Sequence, residues 1–228
     1  KEPHISATAL IVMTCIILIF VGGVNLKQFL LIGIIGAAGA LLVVSIMSRN
    51  YDYIQKRIQS WVDPFADSQG NTWQTCQSLI AIGSGGLFGL GLGESRQKYL
   101  YLPETKNDFV FSIVCEELGL VGALTVVLLF TLLVIRGFYI AMRAKDKFGM
   151  LMAIGLTSHI GLQAFFNIAV VSNLIPNTGI SLPFFSYGGT ALILQLAEMG
   201  IVLNISRVRY QSPQRVPAAE RAPQAEVQ

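Results

Sequence analysis

Residues 94–108 carry six ionisable side chains, Glu94, Arg96, Lys98, Glu104, Lys106 and Asp108, interleaved with Tyr99, Leu100, Tyr101 and Leu102. An almost wholly apolar run follows at once. A carboxylate at the mouth of such a run has two uses. In a helix's first turn, Asp108 would satisfy free backbone N–H groups and complement the helix dipole, and the charges before it would form a solvated loop with interfacial tyrosines. Alternatively, helical spacing puts Asp108, Ser112 and Glu116 on one face, one turn apart, as a polar stripe descending from the surface into the bilayer. Ionisable groups in hydrocarbon are costly unless they face a cavity or a partner, so such a stripe is where chemistry is to be sought.

Two further stretches break the apolar pattern. In "NLIPNTGISLPFFSYGGT", residues 173–190, two prolines and three glycines interrupt a long apolar run. Its irregular backbone predicts either a tight turn, with Gly188 and Gly189 for close helix packing, or the lining of a cavity. Segment 72–93 has polar Gln74, Thr75, Gln77 and Ser78 at one end and "GSGGLFGLGLG" at the other. The glycine string lacks the G-K-[ST] ending of a phosphate loop and predicts a weak or partly unwound helix.

The elements that must position these groups follow from composition. The chain has 228 residues, 53% hydrophobic and only 13% charged, far fewer charges than a soluble domain carries. Uncharged or nearly uncharged runs at 5–24, 28–48, 72–93, 109–135, 149–171 and 184–204 each approach the roughly 20 residues that cross a bilayer as a helix. They are continuous rather than alternating, which excludes a β-barrel. The expected fold is therefore all-α, a polytopic membrane domain over 1–210 with six transmembrane helices, followed by a disordered tail over 211–228 rich in Pro, Ala and Gln. With the N-terminus placed in the cytoplasm, twelve Lys and Arg fall inside and four outside. This orientation puts both termini in the cytoplasm and the loop with Asp108 outside. The net charge of +3 then reflects topology and implies no nucleic-acid partner. Cys15, Cys76 and Cys115 lie in apolar segments without metal-ligand spacing and are expected to be plain buried thiols. The chain opens at Lys1 without an initiator Met and reads as a piece of a longer protein.

Taken in order, "WVDPFAD", "GLFGLGLGESRQKYLYLPETKNDFVFSIVCEELG" and "NLIPNTGISLPFFSYGGTAL" resemble the signature stretches of the FtsW/RodA/SpoVE, or SEDS, family, and the loop motifs look closer to its division and sporulation members. The resemblance runs from Lys1 to about Tyr210. It implies the second part of a ten-span fold in the bacterial cytoplasmic membrane. The implied activity is an inverting peptidoglycan glycosyltransferase that polymerises lipid II, the undecaprenyl-pyrophosphoryl disaccharide-pentapeptide, into glycan strands. Implied partners are a class B penicillin-binding protein and divisome or sporulation proteins. The implied cofactor is a divalent cation, Mg or Mn, with no organic cofactor and no assigned metal ligands. The family's essential aspartate falls on Asp108, while Lys106 stands where many members have His and Asn177 where other residues are commoner. A chain without the first four spans can hold this aspartate and still be inactive.

That chemistry suits the residue types. A sugar hydroxyl attacking an anomeric carbon needs a general base, for which Asp108 is the candidate. The departing pyrophosphate needs cations, for which Arg96, Lys98 and Lys106 are candidates. Glu104, Glu116, Glu117, Ser186, Tyr187, Gly188 and Gly189 complete the expected substrate-binding set, with Glu116 and Glu117 alternatively forming structural ion pairs. His4 and His159 are expected outside the site. A lipid II flippase would distribute charge along a path between the two faces, whereas here charge gathers on the outer side. A scaffold recruiting a transpeptidase would give Asp108 no particular task.

Overall fold

The computed structural model describes residues 5–25, 58–66, 72–97 and 107–207, together with part of 27–39. Five helices organise it: α1 (Ile5–Val21), α2 (Trp73–Ser84), α3 (Val110–Met142), α4 (Lys147–Val171) and α5 (Gly189–Arg207). No strand occurs among the described residues. Three helices, α3, α4 and α5, are long and apolar enough to cross a membrane, and α1 carries a shorter apolar stretch, Ala7–Val21. The expected crossing at 28–48 and the expected disordered tail at 211–228 lie largely or wholly outside the described residues.

Helix α3 is the spine. Its 33 residues would extend about 50 Å at 1.5 Å per residue, well beyond the ~30 Å of a hydrocarbon core. It is interrupted at Gly119, whose φ of 66° and ψ of −164° are accessible to glycine alone. Before the break, Phe111, Ser112, Ile113, Cys115 and Glu116 are buried in protein. After it, Leu120, Leu124, Leu128, Leu132 and Ile135 face outward, where lipid is the natural solvent.

The break opens backbone groups that an apolar environment cannot leave bare. The glycine string satisfies them. Leu90 and Gly91 donate N–H to the carbonyls of Glu116 and Glu117, and the carbonyls of Gly86 and Leu87 accept from Leu120 and Val121, all at 3.0–3.2 Å. A Cβ on Gly89 would collide with the Glu117 carbonyl, and one on Gly119 with the Gly89 amide. Two backbones can approach this closely only because both residues lack side chains.

This pairing revises the sequence reading of 72–93. Ser78, midway along α2, bonds Ser112 at 2.8 Å and the Val171 carbonyl at 2.9 Å, and Gln74 accepts from Asn177, so α2 begins at the Asp108 end of α3 and α4. The glycine string then meets α3 at Gly119, and Ser95 and Arg96 return to Glu116, one turn nearer Asp108. Segment 72–97 is therefore a hairpin that enters and leaves at the same end of the bundle. Its helical arm is 12 residues long, too short to cross.

The direction of α1 changes with it. Ile17, Leu18 and Val21 pack with Ala141, Ala153 and Ile154, at the end of the bundle where α3 finishes and α4 starts. Helix α1 thus runs toward the end opposite Asp108, reversing the expected placement of its N-terminus. Cys15 is also exposed on α1, unlike buried Cys76 and Cys115. The main core, Phe109, Phe111, Val126, Phe130, Ile160 and Leu182 among others, lies between α3, α4 and the 172–188 connection.

Because Gly119 is both conformationally restricted and in backbone contact, Gly119→Ala should cost roughly 2–4 kcal/mol. Gly200→Ala, in α5 with open space around it, should be neutral or stabilising by up to about 1 kcal/mol. Thermal unfolding of the two variants in detergent checks this contrast.

Candidate functional site

Asp108 lies in the turn before α3, with Phe109 as N-cap. It is therefore outside the helix that was expected to carry it, and the stripe of Asp108, Ser112 and Glu116 is divided. Ser112 and Glu116 are on α3 and fully enclosed at 0% and 1% exposure, while Asp108 is only partly buried above them.

What holds Asp108 is a main-chain clasp. Asn167, buried on α4, donates from Nδ2 to the carbonyls of Asp108 and Ile180, both at 2.7 Å. Ser186 donates from Oγ to the Asn107 carbonyl at 2.6 Å and accepts from the Leu182 amide at 2.7 Å. The turn carrying the acid is thereby stitched to the 172–188 connection at two successive residues. Gly179, at φ +69°, faces the side chain itself: a Cβ there would lie 3.5 Å from Asp108 Oδ2. Of the two alternatives for 173–190, close packing at Gly188 and Gly189 finds no neighbouring helix among the described residues. The connection instead lies against the acid.

That connection is held from several sides. Gln195 of α5 accepts from the Phe184 amide at 2.9 Å, fixing a residue at φ 65°. Asn177 donates to Gln74 of α2 at 3.3 Å. Trp61 and Asn173 exchange hydrogen bonds, Nε1 to the Asn173 carbonyl and Nδ2 to the Trp61 carbonyl, each 3.1 Å. The "WVDPFAD" and "NLIPNTG" stretches, 112 residues apart, thus meet directly.

The remaining expected site residues divide clearly. Glu116 is expected at the substrate, but both its oxygens are engaged at the end of the hairpin, Oε2 accepting from Ser95 Oγ and Oε1 from the Arg96 amide at 3.1 Å. It positions the backbone of Arg96, whose side chain is exposed. Glu117 is half-buried beside it and lends its carbonyl to Gly91. Tyr187 points outward at 81% exposure, away from the clasp formed by its neighbour Ser186. Gly188 and Gly189 start α5. Lys98, Glu104 and Lys106 lie outside the described residues. His159 pairs with Glu198 of α5 at 3.4 Å, midway along both helices, in keeping with a helix-packing role. Among the described residues no three His, Cys, Asp or Glu side chains gather as metal ligands, so these residues do not by themselves compose the expected divalent-cation site.

Asn167 and Gln195 have no motif to announce them. The one signal was an amide in an apolar helix, which must find partners because its burial is otherwise costly.

The fold is that of a helical membrane protein with a broken spanning helix, a re-entrant hairpin and an acid presented at one end. The chain matches the FtsW/RodA/SpoVE family model, described as cell cycle protein, over residues 1–211, and it belongs to that family. It is 47% identical over 206 residues to stage V sporulation protein E of Bacillus subtilis, covering 90% of this chain and 55% of the relative. It is 44% identical over 210 residues to the probable peptidoglycan glycosyltransferase FtsW of the same organism, covering 90% and 52%. The chain thus spans about half the length of the curated relatives it matches. Among solved structures it resembles a chain of a peptidoglycan synthase complex studied for its coordination of polymerization and crosslinking, with a TM-score of 0.66, 31% identity and coverage of 89% of this chain and 55% of that one. It also resembles the rod shape determining protein RodA of Thermus thermophilus, with a TM-score of 0.53, 29% identity and coverage of 89% and 49%.

Asn167→Ala strands two partly buried carbonyls and should destabilise the protein by about 2–4 kcal/mol, measured by thermal unfolding. Glu116→Ala should cost a similar amount, while Glu116→Gln, which keeps an acceptor oxygen, should lose less than half of it. Equal losses for the alanine and glutamine variants would show that the charge, rather than the acceptor geometry, holds the loop.

Proposed function

We propose that this chain is the later part of a SEDS glycosyltransferase that polymerises lipid II into glycan strands at the outer face of the bacterial cytoplasmic membrane, in division or sporulation. The observation that carries the reading is the clasp of Asn167 and Ser186 around residues 107–108. It presents Asp108 at the end of the bundle opposite Arg136, Arg143, Lys145 and Lys147. By the positive-inside rule the cationic end is cytoplasmic and the Asp108 end is outside.

With 72–97 as an outer hairpin, the chain supplies five crossings to a ten-span fold: α1, the segment 28–48, α3, α4 and α5. On this reading the first residue lies outside and the tail in the cytoplasm.

In the proposed reaction the 4-hydroxyl of a GlcNAc attacks the anomeric carbon of a MurNAc. Asp108 takes the hydroxyl proton as the new C–O bond forms, and the lipid pyrophosphate leaves from the opposite side with inversion. Arg96, with Lys98 and Lys106 in the same loop, would offset charge on the departing pyrophosphate. A divalent cation, if bound, would supply further positive charge there. Crosslinking of the product falls to a class B penicillin-binding protein, a partner suggested by the likeness to a synthase complex that couples polymerization and crosslinking.

The flippase alternative has one specific observation in its favour, the His159–Glu198 pair at mid-depth. The test is Asp108→Asn in the full-length protein with its transpeptidase, supplied with labelled lipid II in detergent. The expected result is a loss of glycan-strand synthesis of about 10²–10⁴-fold with partner binding intact. Undiminished synthesis would sink the assignment of the base, and retained lipid II transport without synthesis in either protein would favour the flippase.

A further inference from the structure

At the end of α3 farthest from Asp108, Arg136 and Arg143 bracket one aromatic ring. Their guanidinium carbons lie 5.1 and 4.2 Å from the centroid of Tyr139. Both arginines are exposed, and neither pairs with a carboxylate among the described residues. With Tyr139, Ile140 and Ser206 they line a shallow pocket between α3 and α5. Stacking on the same ring gathers both guanidiniums at one surface patch, an arrangement that favours an anion there. The nearest acid in sequence, Asp146, is committed to capping α4, accepting from the Gly149 amide at 3.0 Å.

The setting identifies the anion. Arg136 is the first charge after the apolar run of α3, and Arg143 stands two turns beyond, about 10 Å along the axis. A tyrosine between them, just past the apolar run, sits where interfacial aromatics belong. On the hydrocarbon side the exposed Leu128, Leu132 and Ile135 continue the same helix face toward the bilayer centre, a track for acyl chains.

We propose that the Arg136–Tyr139–Arg143 pocket binds the phosphate of an anionic phospholipid in the leaflet opposite Asp108. The two guanidiniums hold the phosphodiester, and the chains lie along the Leu128–Ile135 stripe. A free phosphate offers the same oxygens without the chains, and the experiment separates the two.

Native mass spectrometry of the full-length protein in detergent, titrated with phosphatidylglycerol, reads the retained lipid. Against wild type, Arg136→Gln with Arg143→Gln should lower retention about 25-fold, roughly fivefold per guanidinium. Lys145→Gln with Lys147→Gln, on the neighbouring exposed turn, should lower it less than threefold. Tyr139→Phe should retain the lipid and Tyr139→Leu should lose it, and all these positions are exposed or half-buried, so thermal unfolding should shift little. Equal losses in the two double variants would reduce the effect to surface charge and overturn the proposal. So would equal retention of phosphatidylcholine, or complete displacement of phosphatidylglycerol by excess inorganic phosphate, which would make free phosphate the ligand.

Discussion

Everything at the Asp108 end rests on one exchange of backbone hydrogen bonds. Helix α3 gives up its own bonding at Gly119, and residues 86–91 take over the freed carbonyls and amides. In an apolar interior such groups must be satisfied by protein, so the break and the hairpin require each other. The exchange fixes how deep the hairpin reaches. It leaves Glu116 one turn above, where its carboxylate can seize the returning strand at Ser95 and Arg96. It also brings Ser78 level with Ser112 and the end of α4, closing a buried polar seam between three helices. The seam is the floor beneath the acid.

Much of this was legible in the sequence. The glycine string announced an unwound segment, the prolines and glycines of 173–190 announced irregular backbone at depth, and the signature stretches announced the family. What misled was 72–93, because an uncharged run of that length has the hydropathy of a crossing whether it traverses the bundle or folds back. A single fold-back in place of a crossing inverts every earlier element relative to Asp108, which is why α1 runs opposite to the direction its hydropathy predicts. Polar Gln74, Thr75, Gln77 and Ser78 at one end of the run are the available warning, since three of them are buried at the Asp108 end of the bundle. Asn167 was overlooked for a different reason: its importance comes from two carbonyls 59 and 13 residues away, which no local pattern encodes.

The two ends of α3 have opposite characters. One begins just after a carboxylate whose backbone is gripped from α4 and from the connection to α5. The other ends in two guanidiniums sharing a ring. Between them the second half of the helix turns Leu120, Leu124, Leu128, Leu132 and Ile135 outward and packs Val126, Phe130, Gly137, Ile140 and Ala141 into the bundle, with Thr157 of α4 filling the notch at Gly137. A helix of this kind fixes the separation between the groups at the two membrane surfaces.

The grip on residues 107 and 108 falls on main-chain carbonyls, and that on the start of the outer loop falls on Ser95 and the Arg96 amide. Both anchors lie outside residues 98–106. Because both grips take hold of main-chain atoms at 96, 107 and 108, they do not depend on which side chains stand at those three positions. The place of the carboxylate is set by bonds in which the carboxylate itself has no part.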